Sequence, residues 1–168
     1  MARKTSPKLL LARGICCPTS RDSANITHRG ASCGALMPYQ FDFDSVNGIA
    51  RCRFEGVLTD EELSQLYRDT AEFIALTDTR SAILDLTGVT SPQFSTQTIH
   101  ELARLVPALP DPSRPRVVVA PSPAVYGMAR IFEMLGDQTR PNLHVVHTEQ
   151  EAWAILGVWE PQFTLHQK

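Results

Sequence analysis

A chain of 168 residues, 43% hydrophobic and 20% charged, suits one domain with a single buried core. Its formal charge of −2 hides a division: residues 1–36 hold six Lys/Arg against one acid, Asp22, so residues 37–168 carry ten basic and seventeen acidic side chains, a charge of −7. A body of that sign is a poor partner for nucleic acid or an anionic membrane surface, and no run of 18 apolar residues is present to span a bilayer.

Residues 1–36 show no sustained period of 2 or 3.6 and are expected to be a disordered or loosely packed leader. Arg3, Lys4 and Lys8 precede "LLLARGICC" as in a secretory signal, but Arg13 interrupts the apolar run after four residues, too few for export. Cys16, Cys17, His28 and Cys33 follow no zinc spacing and no CxxC pair occurs, so neither a metal nor another cofactor is expected. Only Cys52 lies in the body, which reads as reduced and cytoplasmic. The pattern changes abruptly at Met37, the expected biological start; an intact mass with Met1 or Ala2 at the N-terminus would contradict that. The domain is expected over 37–157, with 158–168 as a tail.

"YQFDFD" alternates, with Tyr39, Phe41 and Phe43 on one face, and "IARCRFEG" alternates after Asn47-Gly48. This predicts an antiparallel hairpin with strands 39–44 and 49–55. Thr59 and Glu62 make a capping box for a first helix that buries Leu63, Leu66, Tyr67, Ala71 and Ile74. "SAILDLTGV" reads as a strand covered on both faces, followed by the loop "TSPQF". Ser95 caps a second helix with Ile99, Leu102, Ala103 and Val106 at helical spacing, and "RVVVA" is the next strand. Ser122 as cap and Pro123 as first helical residue open a third helix. A strand at 143–147 and a helix capped by Thr148, with Glu151 at its third position, follow; the expected order is ββαβαβα. The fold class is α/β, a mixed sheet whose later strands are parallel through right-handed crossovers.

Around the third helix, Tyr126, Arg130 and Glu133 share a narrow polar face, while Val125, Met128, Ala129, Ile131, Phe132 and Leu135 fill most of the rest. That apolar arc exceeds what one sheet covers. Burial by neighbouring segments accounts for it, or a weak symmetric dimer over Gly127, Ile131 and Met134, with Arg130 and Glu133 exchanging rim contacts. The C-terminal rim of the parallel strands, where ligands usually sit, gathers Asp85, Ser95, Ser122, Tyr126 and Arg130; together with Glu133, all but Ser95 form the candidate ligand or partner surface. Asp85 lies in an apolar strand, where a charge needs a partner; it serves the following loop or chemistry. No histidine stands near a nucleophile, so no catalytic set is assigned. No GxGxxG or GxxxxGK[ST] occurs. His144 and His147 should face opposite sides of a strand, and Trp153 and Trp159 read as core or lid residues.

With "GVLTDEEL", "AILDLTGVT", "YGMARIFEML" and "TEQEAWAILGV", residues 37–157 resemble the STAS superfamily and particularly its SpoIIAA-like group. That resemblance implies a non-enzymatic bacterial module that binds partner proteins, in some members switched by serine phosphorylation, with some relatives likened to lipid-binding domains. The switch serine of the family aligns with Ser95, although Gln93 and Thr96 replace the flanking aspartate and glycine. A phosphate there would meet a helix N-terminus, which locally favours an anion. The alternative function is a carrier of a small apolar ligand or lipid between the sheet and the third helix.

Overall fold

The computed structural model describes residues 38–166, all within one compact unit, Leu36–Lys168; the expectations for the leader, its cysteines and Met37 fall outside them. Strands β1 (Tyr39–Asp44) and β2 (Ile49–Thr59) precede α1 (Asp60–Leu76). The chain continues through β3 (Ser81–Gln93), α2 (Thr96–Arg104), β4 (Arg116–Val119), α3 (Pro123–Leu135), β5 (Leu143–Val146), α4 (Glu149–Leu156) and β6 (Thr164–His166). The sheet order is β5-β4-β3-β2-β1-β6, with β2 to β5 parallel and β1 antiparallel to both its neighbours. The expected class, a hairpin followed by parallel strands, is the class observed, but the expected order ββαβαβα stops short of it: β5, α4 and β6 follow α3.

Local chemistry explains most boundaries. Ser45 to Gly48 close the hairpin, with the Gly48 amide donating to the Asp44 carbonyl at 2.8 Å. Gly48 has φ +66°, a conformation that favours glycine, and a Cβ there would also crowd the Asp78 carbonyl at 3.1 Å and push the Arg80 side chain aside. Thr59 accepts from the Glu62 amide at 3.3 Å while Glu62 accepts from the Thr59 amide at 3.0 Å, the capping box that starts α1. Thr148 and Glu151 repeat it at α4 with 3.2 and 3.1 Å.

Side chains alternate between the two faces of the sheet. On one face Cys52, Phe54, Leu86 and Val118 meet α1, α2 and α3, including Leu63, Leu66, Ile99, Leu102, Val125 and Ala129. On the other, Ile49, Ile83, Val117 and Val119 pack against Ala152 of α4, with Trp153 and Phe163 at their margin. In α1 the buried stripe is Leu63, Leu66, Phe73 and Ile74; Tyr67 and Ala71 are half-buried. Asp69, unforeseen in that stripe, is buried because it accepts the Tyr39 hydroxyl at 2.5 Å.

Several expectations need correction. The stretch "TSPQ" is strand rather than loop: beyond register shifts at Arg53/Glu55 and Gly56/Val57, β2 and β3 continue as a two-stranded arm pairing Val57 with Ser91 and Thr59 with Gln93. Among the described residues β3 here has only β2 as a neighbour, since β4 pairs with Ala82–Asp85, and such an edge tolerates Pro92. α2 stops at Arg104, ahead of Pro107, which leaves Val106 79% exposed rather than buried. The expected tail carries β6, held by the Gln162 amide on Asp44 Oδ2 at 3.1 Å and by Thr164 Oγ1 on the Phe43 carbonyl at 3.0 Å. Trp159 is 90% exposed and neither core nor lid.

Candidate functional site

At the C-terminal rim, the β2–β3 arm brings the start of α1 against the start of α2. Ser95 caps α2, its Oγ accepting from the Thr98 amide at 3.2 Å. The same residue donates its amide to Asp60 Oδ1 at 2.7 Å and its hydroxyl at 3.2 Å. Hydrogen bonds from the Thr98 hydroxyl, then from the Ser95 amide and hydroxyl, hold the Asp60 carboxyl below its ordinary range. Ser95, Thr96 and Gln97 are exposed. A lowered carboxyl is a weak base, so the Asp60–Ser95 pair is poorly suited to activating a nucleophile. It also alters the expected effect of a phosphate. The anion would arrive where Asp60 already occupies the amide, and two negative groups would compete for it.

The other rim candidates do not converge on Ser95. Asp85, 1% exposed, faces the α4 side of the sheet together with Ile83. Its Oδ1 accepts from the Thr87 amide at 2.9 Å, the loop-bonding role, and its Oδ2 from Arg53 Nε at 3.3 Å. Ser122 stands at the cap position of α3 but makes no capping bond, contrary to expectation; Pro123, at the first helical position, lacks an N–H and leaves one donor fewer to satisfy. Tyr126 stacks on His147 with ring centroids 4.1 Å apart at 14°. Arg130 pairs with Glu133 on its own helix. Of the expected dimer face, Gly127 and Met134 are exposed, but Ile131 packs against the core with Met128 and Phe132.

Around Asp85 lies a charged cluster that the sequence reading missed. Asp42 Oδ2 accepts from Arg51 Nη2 at 2.7 Å and Nε at 3.1 Å and stands 3.9 Å from Arg53 Nη2. Arg51 Nη1 lies 3.5 Å from Glu149 Oε1, and its guanidinium sits 3.7 Å over the Phe163 ring. Burial and then the neighbouring Asp85 charge push the Glu149 carboxyl above its usual range. The signal was present in the hairpin: placing Asp44 opposite Ile49 pairs Asp42 with Arg51 on the face away from the aromatics. Among the described residues no three His, Cys, Asp or Glu are grouped to hold a metal ion.

On the face covered by α1, α2 and α3 two adjoining cavities, of about 120 and 70 Å³, share Leu63, Tyr67, Leu84, Val118 and Phe132 in their walls. The larger reaches Arg116, at the start of β4, and Arg140, between α3 and β5; the smaller runs toward Phe94 and Val125. α1 and the sheet form more of these walls than α3 does, and Met128 and Met134 do not line them.

No family model matches the chain, and no curated protein matches it. Solved structures do. The anti-sigma factor antagonist SpoIIAA in its unphosphorylated form is 14% identical, with a TM-score of 0.47 over 73% of this chain and 99% of that one. The Bacillus cell fate determinant SpoIIAA in its phosphorylated form is 18% identical, with a TM-score of 0.44 over 69% of this chain and 96% of that one. No helix among the described residues is long and apolar enough to cross a membrane.

Proposed function

We propose that this chain is a non-enzymatic, cytoplasmic regulatory module that binds a partner protein at the rim where α1 and α2 begin. The observation that carries this reading is the exposed Ser95 held on Asp60. A hydroxyl in that position is open to a kinase or a partner, and adding charge to it breaks a contact between two helices. The free, buried Cys52 fits a reducing compartment. Affinity capture from the source cell with wild-type, Ser95→Ala and Ser95→Asp baits tests it: one partner retained by Ser95→Ala and lost by Ser95→Asp is expected. Equal retention by both variants removes the rim from the interaction. Turnover in a hydrolase and transferase screen, abolished by Asp85→Ala, overturns the non-enzymatic reading.

A second reading is supported by the paired apolar cavities: the module holds a small apolar ligand between its sheet and helices. The larger cavity approaches the ~150 Å³ of an engineered cavity that binds benzene. Binding of hexan-1-ol, measured calorimetrically, is the direct test; an alcohol that does not bind removes this reading.

A further inference from the structure

The cavity that approaches β4 ends on two cations. Arg116 and Arg140 are 7% and 3% exposed, and among the described residues no acidic one lines the cavity with them. Arg140 is satisfied: Nη1 donates to the Ala103 carbonyl at 2.9 Å, and Nη2 donates to the Tyr67 hydroxyl at 2.8 Å and the Leu105 carbonyl at 2.9 Å. Arg116 is not. Its Nη2 donates to the carbonyls of Leu109 and Asp111 at 2.5 and 2.8 Å, while the buried Nε and Nη1 have no partner among the described residues. Asp111, the acid that acts on Arg116, turns its carboxylate away to Ser113 and Arg114. Burial, then the adjacent Arg140 charge, disfavours the charged form of Arg116.

A buried guanidinium with unpaired donors is costly unless an anion joins it. The wall beside it is apolar, supplied by Leu66, Ile74, Val118 and Phe132 among others. An inorganic anion would satisfy the donors and leave the rest of the cavity empty; an alkane would fill the cavity and leave the donors unmet. A molecule with both parts meets both demands.

Building on the apolar-ligand reading, we propose that the cavity binds an organic monocarboxylate, its carboxylate on Arg116 and its apolar tail along Leu84 and Val118 toward the second cavity. Arg140 adds positive field without spending a donor. A tail of about six carbons matches the larger cavity by comparison with benzene binding, and a longer one enters the smaller cavity.

Titration calorimetry of the full chain with hexanoate, hexan-1-ol and inorganic phosphate tests this. Hexanoate is expected to bind at least tenfold more tightly than hexan-1-ol, and phosphate not to bind. Arg116→Met should abolish the preference while keeping the alcohol. Should that variant fail to fold, Val118→Leu, which narrows the junction of the two cavities, should weaken hexanoate binding with the fold retained by circular dichroism. Hexan-1-ol bound as tightly as hexanoate overturns the carboxylate assignment and leaves the apolar-ligand reading standing. If neither binds, both fall together.

Discussion

Asp44 is a fully buried carboxylate with no cation paired to it among the described residues, and it survives because four donors surround it. Val46 and Asn47 give their amides to Oδ1 at 2.9 and 3.1 Å; the Asn47 side chain and the Gln162 amide reach Oδ2 at 2.7 and 3.1 Å. Burial opposes its ionisation, but those bonds, led by Asn47, outweigh it and hold its carboxyl below the ordinary 3.8. Asp44→Ala should therefore cost about 3 kcal/mol at pH 7 in urea unfolding, because buried donors lose their acceptor. A lowered folded value contributes stability above the unfolded value and loses it as pH falls through the folded one, so the deficit of the variant should shrink below pH 3.8. Glu149 has the opposite sign. Its raised carboxyl makes ionisation a penalty that is present at neutral pH and fades as pH falls toward 4.5. Glu149→Gln should be at least as stable as wild type at pH 7, an advantage that disappears below pH 4.5; a thermal melt series against pH checks it.

At the scale of elements, α3 shows where sequence pattern reaches its limit. A helical wheel separates polar from apolar positions, but cannot say which apolar residues face a neighbour. Ile131 and Met134 look equivalent on it, yet one packs on the core and the other is 72% exposed. Ile131→Asp should consequently destabilise the monomer by about 2 kcal/mol. Met134→Asp should change stability by less than ~0.5 kcal/mol while dissolving any dimer that sedimentation equilibrium detects. Capping was legible because it is local: Ser95 and both Thr-x-x-Glu boxes lie within a few residues of the groups they satisfy. Ser95→Ala should lose ~1 kcal/mol in denaturant unfolding. Its bond to Asp60 was not legible, since it spans thirty-five residues and depends on the β2–β3 arm.

For the whole molecule, alternation and turn residues disclosed the hairpin, the parallel strands and the four helices, because each repeats a short-range period. What escaped were features made by distant partners. The Arg51–Asp42–Glu149 cluster needs α4 folded onto the hairpin, and β6 is three residues long, too short to show a period. β6 also has a consequence during synthesis. Its partner on β1, Phe41 to Phe43, is made more than 120 residues earlier, so at ~20 residues/s the nascent chain carries an open, aromatic sheet edge for about 6 s or more. Asp42 sits in the middle of that edge. In the finished fold it is a counterion; on the ribosome it is a gatekeeper, a charge that discourages two growing chains from zipping together. Asp42→Val should raise the insoluble fraction during expression, and do so even when Arg51→Leu is added to remove the cation that Asp42 pairs with; a double variant that returns to wild-type solubility would mean that the carboxylate matters only after folding.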